Sequence, residues 1–532
     1  MKSNKIKFSR IVVALSAVAL LSLGSCVKDL EREPITDVTS ASVFADFANY
    51  PNALAKLYGG LAVGGQTAAD GSPDVAGIDG GFSNYMRQMY TMNVLTTDEA
   101  VIAWNDGTLQ TMHRMTWDSS NEFIGAMYYR IFTEIAFCNE FLRNTTDEKL
   151  ASNNITGDNL AKAKVMRGEA RFIRAQSYEH ALDLFGNVPF VTEDNLPGST
   201  TPPARITRAD LFKFVESELI ASADEMAPAR TNVYGHADQA AAWSLLARLY
   251  LNAKVYTGTD RSTDCITYCK KVIAAGYKLN PVYQNLFLAD NNLNNNEQIF
   301  SINYDGVHTQ TYGGTTYMVH AAIGGSMPAS QFGVNGGWGG LRTTQAFVDK
   351  FPANGADKRG NFYTDGQSKE INDLGSFTDG YAFIKYKNVT STGAAGSDNS
   401  GNFVDADMPI YRLADIYLMY AEAVLRGGTG GDMATAVGYV NALRERAYGN
   451  TSGDVSSINL DFILDERSRE LSWELTRRTD LIRFGKFTTG AYLWPWKGGV
   501  KEGKAVEDFR NLMPIPAKDI IANPNLVQNP GY

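Results

Sequence analysis

The sequence predicts a mainly α protein, a scaffold of stacked, tetratricopeptide-like helix pairs interrupted by long loop-rich insertions. Three observations carry this expectation. Apolar residues recur at helical intervals in segments between residues 121 and 275 and again between 409 and 487. Small and large residues alternate along one face around Trp243, Leu246, Ala247 and Tyr250, the pattern of short helix pairs that interdigitate. Residues 59–120 and 280–408 are instead rich in Gly, Asp and Asn and lack sustained periodicity.

The elements follow in order. A helical stripe of Val43, Phe47, Leu54 and Leu57 spans Ala41 to Tyr58. Thr96, Thr97 and Asp98 offer helix-capping chemistry, and Asn105-Asp106-Gly107 is a turn signal that puts Trp104 on or beside a loop. Helices are predicted over Asn121 to Leu142, Leu160 to Phe185 (closed by Gly186-Asn187), Arg208 to Met226, Ala237 to Ala253 and Asp260 to Ala275. Gln298 to Asn303 reads as a short strand. Helices return over Pro409 to Leu425, Met433 to Ala447 and Leu460 to Phe487, the last with charges of both signs at the spacing of a salt-bridged face.

The N-terminus carries Lys2, Lys5, Lys7 and Arg10, then an apolar run from Ile11 to Leu23, too short to span a bilayer comfortably. It ends Leu23-Gly24-Ser25-Cys26, which resembles a bacterial lipobox. The expected organisation is a signal peptide over 1–25, lipidation at Cys26, a tether over 26–40 and a single domain over 41–532. Of the other cysteines, Cys265 and Cys269 stand four apart on one predicted helix, a geometry that favours packed thiols over a disulfide.

A formal net charge of -9 argues against nucleic acid, whose binding rests on Lys and Arg neutralising phosphates. His113, His180, His236, His308 and His320 are scattered without metal-ligand spacing, so no metal or cofactor is expected, and a structural calcium is not readable. Gly498 to Ala505 nearly spells a phosphate-binding loop, but Ala505 replaces the Ser or Thr that holds magnesium and no strand–helix context surrounds it. Carboxylates are plentiful, yet no pattern sets a pair at the roughly 5–10 Å of a glycosidase.

The stretch from Tyr304 to Gly340 has neither the composition of a helix nor that of a buried strand. It holds Tyr312-Gly313-Gly314-Thr315-Thr316-Tyr317 and Gly336-Gly337-Trp338-Gly339-Gly340. Rings on Gly-rich backbone are either plugs against a neighbouring element or a contact surface, and the surface reading points to a sugar chain. A pyranose shows an apolar face of C–H bonds, and an indole or phenol meets it with a flat face at low entropic cost.

Tyr411 to Ala423, Asn441 to Ala447, Asp465 to Leu471 and Pro514-Ile515-Pro516 through Tyr532, with the lipobox and helix pairs, resemble the SusD/RagB family of Bacteroidetes outer-membrane lipoproteins. The loops Asp70-Gly71-Ser72-Pro73-Asp74, Tyr312 to Tyr317, Gly337-Trp338 and Tyr492 to Gly499 resemble those of its starch-binding members. The resemblance implies a non-enzymatic surface protein that delivers glycan to a SusC-like TonB-dependent transporter. It also implies an arc of Trp104, Tyr312 and Trp338 cradling helical α-glucan, with Asp79, Arg87 and Asn105 as polar partners, in a chain whose loops near Asn105 and over 351–381 are shorter. An α-1,6-glucan, a surface glycoside hydrolase and a peptide-binding scaffold are the alternatives.

Overall fold

The structure, a computed structural model, describes residues 40–293 and 295–532. The expected signal peptide, Cys26 and residues 27–39 of the expected tether lie outside the described residues. The chain divides into two units, the first ending at Asp46 and the second running from Phe47 to Tyr532. Ser40–Phe44 form a short helix in the first unit. In the second, α1 (Tyr50–Ala62) carries Pro51 in its first turn, where the missing N–H costs nothing. The helix expected as one element from Ala41 to Tyr58 is therefore interrupted and restarts at this proline.

The elements that follow are α2 (Tyr85–Asn93), β1 (Val101–Ile102), α3 (Glu122–Asn144), α4 (Gly157–Leu184), α5 (Arg208–Glu225), α6 (Gln239–Leu251) and α7 (Ser262–Ala274). Their ends have local causes. Asn121 Oδ1 accepts from the backbone N–H groups of Phe123 and Ile124, 3.0 Å each, and caps α3. Gly186 takes φ +73° just beyond α4 and turns the chain. Along the predicted stripes each helix packs on the next: α3 on α4, α4 on α5, α5 on α6 and α6 on α7. On α7, Cys265 and Cys269 are buried free thiols with Sγ atoms 4.0 Å apart. No helix among the described residues is long and apolar enough to cross a membrane.

The chain then leaves the stack. The excursion contains β2 (Gln298–Ile302), α8 (Gly314–Ala321), β3 (Leu341–Arg342) and β4 (Met408–Arg412), and the stack resumes with α9 (Leu413–Leu425), α10 (Met433–Tyr448), α11 (Leu460–Leu471) and α12 (Arg477–Arg483). Helix α9 packs directly on α7, so the stack continues across the excursion. At its neck β2 and β4 pair antiparallel, with Met408 opposite Ile302 and Arg412 opposite Gln298, and every residue of both strands is buried. Residues 409–412, expected as helix, are thus strand: pairing with β2 takes the backbone bonds a first helical turn would have used. Helix α8 is a second departure. It lies inside the stretch read as non-helical, and each of its residues is buried.

The segment expected as one helix from Leu460 to Phe487 is two, separated where Trp473 and Leu475 take φ of +61° and +67°. The break presses the chain against residues 98–99. Trp473 donates its backbone N–H to Glu99 Oε2 at 3.0 Å and its indole N–H to the Glu99 carbonyl at 3.1 Å, and Arg477 grips Asp98 bidentately at 2.7 and 2.8 Å. Asp98 is therefore an internal anchor, not the helix cap its sequence suggested.

The charges of α11 point inward. Arg412, the last residue of β4, pairs with Glu297 at 2.8 Å, Glu470 at 2.6 Å and Glu474 at 2.6 Å, all essentially without solvent exposure. Arg446 of α10 also meets Glu297 and Glu470. Arg359 joins from within the excursion, 2.7 Å from Glu466 and 3.0 Å from Glu470. Burial alone would push the Glu470 carboxyl up, but Arg446, Arg412 and Arg359 together hold it well below the usual carboxylate range.

Removing one partner from such a network strands a buried charge, at a cost of about 3–5 kcal/mol. Glu470→Ala is expected to lower unfolding stability by about that amount in urea titrations, and a loss below about 1 kcal/mol would contradict the assignment. The pH dependence follows from Glu466 and Glu422. Burial raises both, but their arginine neighbours outweigh it and hold each at about 2, against about 4.3 in the unfolded chain. Their stabilisation is complete above the unfolded value and lost as pH falls through the folded one. The stability gap between wild type and Glu422→Gln is expected to be constant above about pH 5 and to close as pH falls from about 4 to about 2; a gap that persists at the acid end would contradict this.

Candidate functional site

The excursion folds back on the start of the chain through a two-residue ribbon. β1 pairs antiparallel with β3, Val101 opposite Arg342 and Ile102 opposite Leu341. The Ala103 N–H continues the ladder to the Gly340 carbonyl at 2.9 Å, and the Trp104 indole N–H donates to the Trp338 carbonyl at 3.0 Å. Two tryptophans far apart in sequence are thereby held with ring centroids 6.3 Å apart and planes tilted by 41°.

The glycines around Trp338 are required by close approach. The N–H groups of Trp338, Gly339 and Gly340 donate to the carbonyls of His320, Ile323 and Ala321, each at 2.8 Å, so the segment lies flat on the C-terminal end of α8. A Cβ on Gly337 would stand 2.2 Å from the Ile323 carbonyl oxygen, and one on Gly340 would stand 2.7 Å from the Trp104 ring. His320 stacks under Trp338 at 4.7 Å with an interplanar angle of 18°, and its Nδ1 lies 2.7 Å from the Gly336 carbonyl. Burial lowers the His320 pKa, which leaves a neutral ring as the backing.

Tyr312 stands on the other side of this assembly, its ring 6.3 Å from Trp338 at 56° and 39% exposed. Buried Asp70 fixes its backbone. The carboxylate accepts from the Tyr312 N–H at 2.7 Å, the Thr311 hydroxyl at 3.1 Å and the Gly64 N–H at 2.8 Å. Trp338 thus contacts both other rings, and the three form a bent, half-exposed apolar surface.

Arg87 of α2 lies beneath it. One Nη donates to the carbonyls of Gly81 at 3.0 Å and Tyr312 at 3.2 Å, and the guanidinium sits 4.5 Å from the Tyr317 ring and 5.9 Å from the Trp104 ring. Burial pulls its pKa below the ordinary arginine value, while Tyr317, Asp70, Asp79 and Asp106 pull it back. Its Nε and second Nη have no protein partner among the described residues. Asp79 is exposed and makes no ion pair with Arg87. Its Oδ1 instead accepts from the N–H groups of Gly81 at 2.8 Å and Phe82 at 3.3 Å.

A hollow of about 700 Å3 is lined by Asp79, Phe82, Arg87, Trp104, Asp106, Glu122 and Trp338, among others. The structure therefore brings together Trp104, Trp338, Asp79 and Arg87 and sets Tyr312 at the edge through its contact with Trp338. It does not bring Asn105 there; that side chain lines a neighbouring hollow. Sequence reasoning missed Asp106 and Glu122 in the hollow, Asp70 as the clamp on Tyr312, and His320 and Tyr317 as the backing of Trp338 and Arg87. Chemically, the site offers apolar faces, a fork of donors and exposed carboxylate acceptors. Among the described residues no three His, Cys, Asp or Glu side chains form a group able to hold a metal ion.

A family model described as SusD family matches residues 362–532, and one described as "Starch-binding associating with outer membrane" matches residues 75–251. The chain is 34% identical to the starch-binding protein SusD of Bacteroides thetaiotaomicron over 99% of its own length and 100% of that protein. It is 23% identical to SusD-like protein P2 of Formosa agariphila, with 100% of both chains covered. Among solved structures, a SusD homolog from Bacteroides thetaiotaomicron aligns with a TM-score of 0.72 at 19% identity, covering 93% of this chain and 99% of that one. Surface glycan-binding protein A from Bacteroides fluxus aligns with a TM-score of 0.69 at 22% identity, covering 91% and 99%; these two structures share the fold of the helical scaffold and its excursion. This chain belongs to the SusD family.

Proposed function

We propose that this protein is a cell-surface glycan-binding lipoprotein that captures starch-type α-glucans and passes them to a SusC-like TonB-dependent outer-membrane transporter. The observation that carries the reading is the meeting of Trp104, Trp338 and Tyr312 as one bent surface, with rings tilted by 41° and 56°. A bent set suits the curved face of a helical α-1,4-glucan, whereas a coplanar row would suit a straight chain. The free donors of Arg87 fork across adjacent hydroxyls, and Asp79 accepts from another. Asp79, Asp106 and Glu122 outnumber Arg87 in the hollow, which favours a neutral glycan over a sulfated or uronic one. The full-length likeness to a starch-binding protein supports the ligand class. Anchoring at Cys26 and hand-off to the transporter follow from the lipobox and the family's role, and binding rather than catalysis is the activity assigned.

The bent surface also admits an α-1,6-glucan, so the decisive test compares the two linkages. Titration calorimetry is expected to show binding of maltoheptaose, weakened at least about tenfold in Trp338→Ala. Binding of dextran without maltoheptaose would transfer the assignment to the α-1,6 chain, and unchanged affinity in Trp338→Ala would overturn the site. Gly340→Ala, which crowds Trp104, is expected to weaken maltoheptaose binding by about tenfold or less and to cost about 1–3 kcal/mol of stability. Full affinity in that variant would show that the position of the Trp104 ring does not matter.

A further inference from the structure

Residues 103–110 form a ridge with a hollow on each side. Trp104, Asp106, Gly107 and Leu109 face the hollow of the three-ring surface. Ala103, Asn105 and Gln110 face a second hollow of about 500 Å3, completed by Arg114, Asn372, Asp373 and Trp496. We propose that this second hollow is a further saccharide subsite, engaged by a glucan long enough to cross the ridge from the three-ring surface. The proposal rests on the glycan-binding reading above and extends it to chain-length selection.

Three features argue for a ligand there. The first is a fixed ring. Trp496 is half-buried, packs against Val101, Ile371 and Leu374, and donates its indole N–H to the Ile371 carbonyl at 3.1 Å. Its backbone takes φ +68°, a conformation that a bulky residue adopts only when its surroundings impose it. A ring held at such cost beside a hollow parallels Trp338, whose orientation is set by His320. The second feature is a set of unused polar groups. The side chains of Asn105, Gln110 and Arg114 make no hydrogen bond or ion pair with the protein among the described residues, although Gln110 and Arg114 are half-buried. The third is balance of charge. The lining holds one guanidinium (Arg114), one exposed carboxylate (Asp373) and the amides of Asn105, Gln110 and Asn372, which matches a neutral polyol that both donates and accepts. The apolar platform and amide donors together match one or two pyranose rings.

The arrangement also gives Asn105 a place. It lines the second hollow, where a chain crossing the ridge would arrive, and not the first.

The test is a chain-length series, with maltotriose and soluble amylose titrated against wild type, Trp338→Ala, Trp496→Ala and Arg114→Ala. Arg114→Ala removes only a half-buried side chain without a protein partner, and near-ultraviolet circular dichroism checks the fold of Trp496→Ala. Both second-hollow variants are expected to bind maltotriose within about twofold of wild type and to lose about five- to tenfold in affinity for amylose. Trp338→Ala is expected to weaken both ligands. If Trp338→Ala weakens both while Arg114→Ala and Trp496→Ala match wild type on amylose, the second subsite is overturned and the three-ring site stands. If Trp338→Ala changes neither ligand, both readings fall.

Discussion

The buried contact between Arg412 and its three glutamates is the constraint on which the rest depends. Glu297 precedes β2 and Arg412 ends β4, so one ion pair joins the two ends of the excursion at its neck. Glu470 and Glu474 tie that neck to the segment after α9 and α10, and Arg359 ties in the middle of the excursion. An ion pair this deep is expensive to desolvate, and replacing the whole set by apolar residues can be neutral or stabilising. Its value here is registry. Each guanidinium must find its carboxylates, and a shift of β4 along β2 would leave several charges without partners.

From that neck the support runs outward to the candidate site. Asp98 and Glu99 are held by Arg477 and the Trp473 turn, and two residues later the chain becomes β1. β1 pairs with β3, and the ladder ends on Trp104 and Trp338. The rings are thus carried by loops in the topological sense, but hydrogen bonds fix each one: Trp104 to the Trp338 carbonyl, Trp338 to the His320 carbonyl and Tyr312 to the buried Asp70 carboxylate. Such preorganisation removes entropic cost at the moment of binding. Apolar faces backed by His320 and Tyr317 need not collapse onto a ligand, because they already stand in place.

Much of this was legible in the sequence for definable reasons. Long helices show their stripe, and α3 to α7, α10 and their caps fall where spacing and Asn121 or Gly186 put them. The Gly-rich stretch stands out by composition, but composition gives only part of the reason for its glycines. Gly337 and Gly340 mark close approach to α8 and to Trp104, contacts that exist only in three dimensions. The helix α8 was hidden because glycines bracket a run with no polar face, which periodicity cannot separate from a buried strand. The break between α11 and α12 was invisible because Trp473 and Leu475, not Gly, take the left-handed conformation. The inward charges of α11 have the same spacing as a solvated face. For the candidate site, residue type and family likeness nominated the three rings, while Asp70, His320, Asp106 and Glu122 had no distinguishing pattern, and the side of the ridge on which Asn105 falls depends on the local path of the backbone.

The central claim is that helical α-glucan lies on the surface made by Trp104, Trp338 and Tyr312. The most direct measurement is a crystal structure of the protein with maltoheptaose bound. The account predicts pyranose faces against the three rings, with sugar hydroxyls within hydrogen-bond distance of Arg87 and Asp79. Maltoheptaose seated elsewhere on the protein, with these rings bare to solvent, would contradict it.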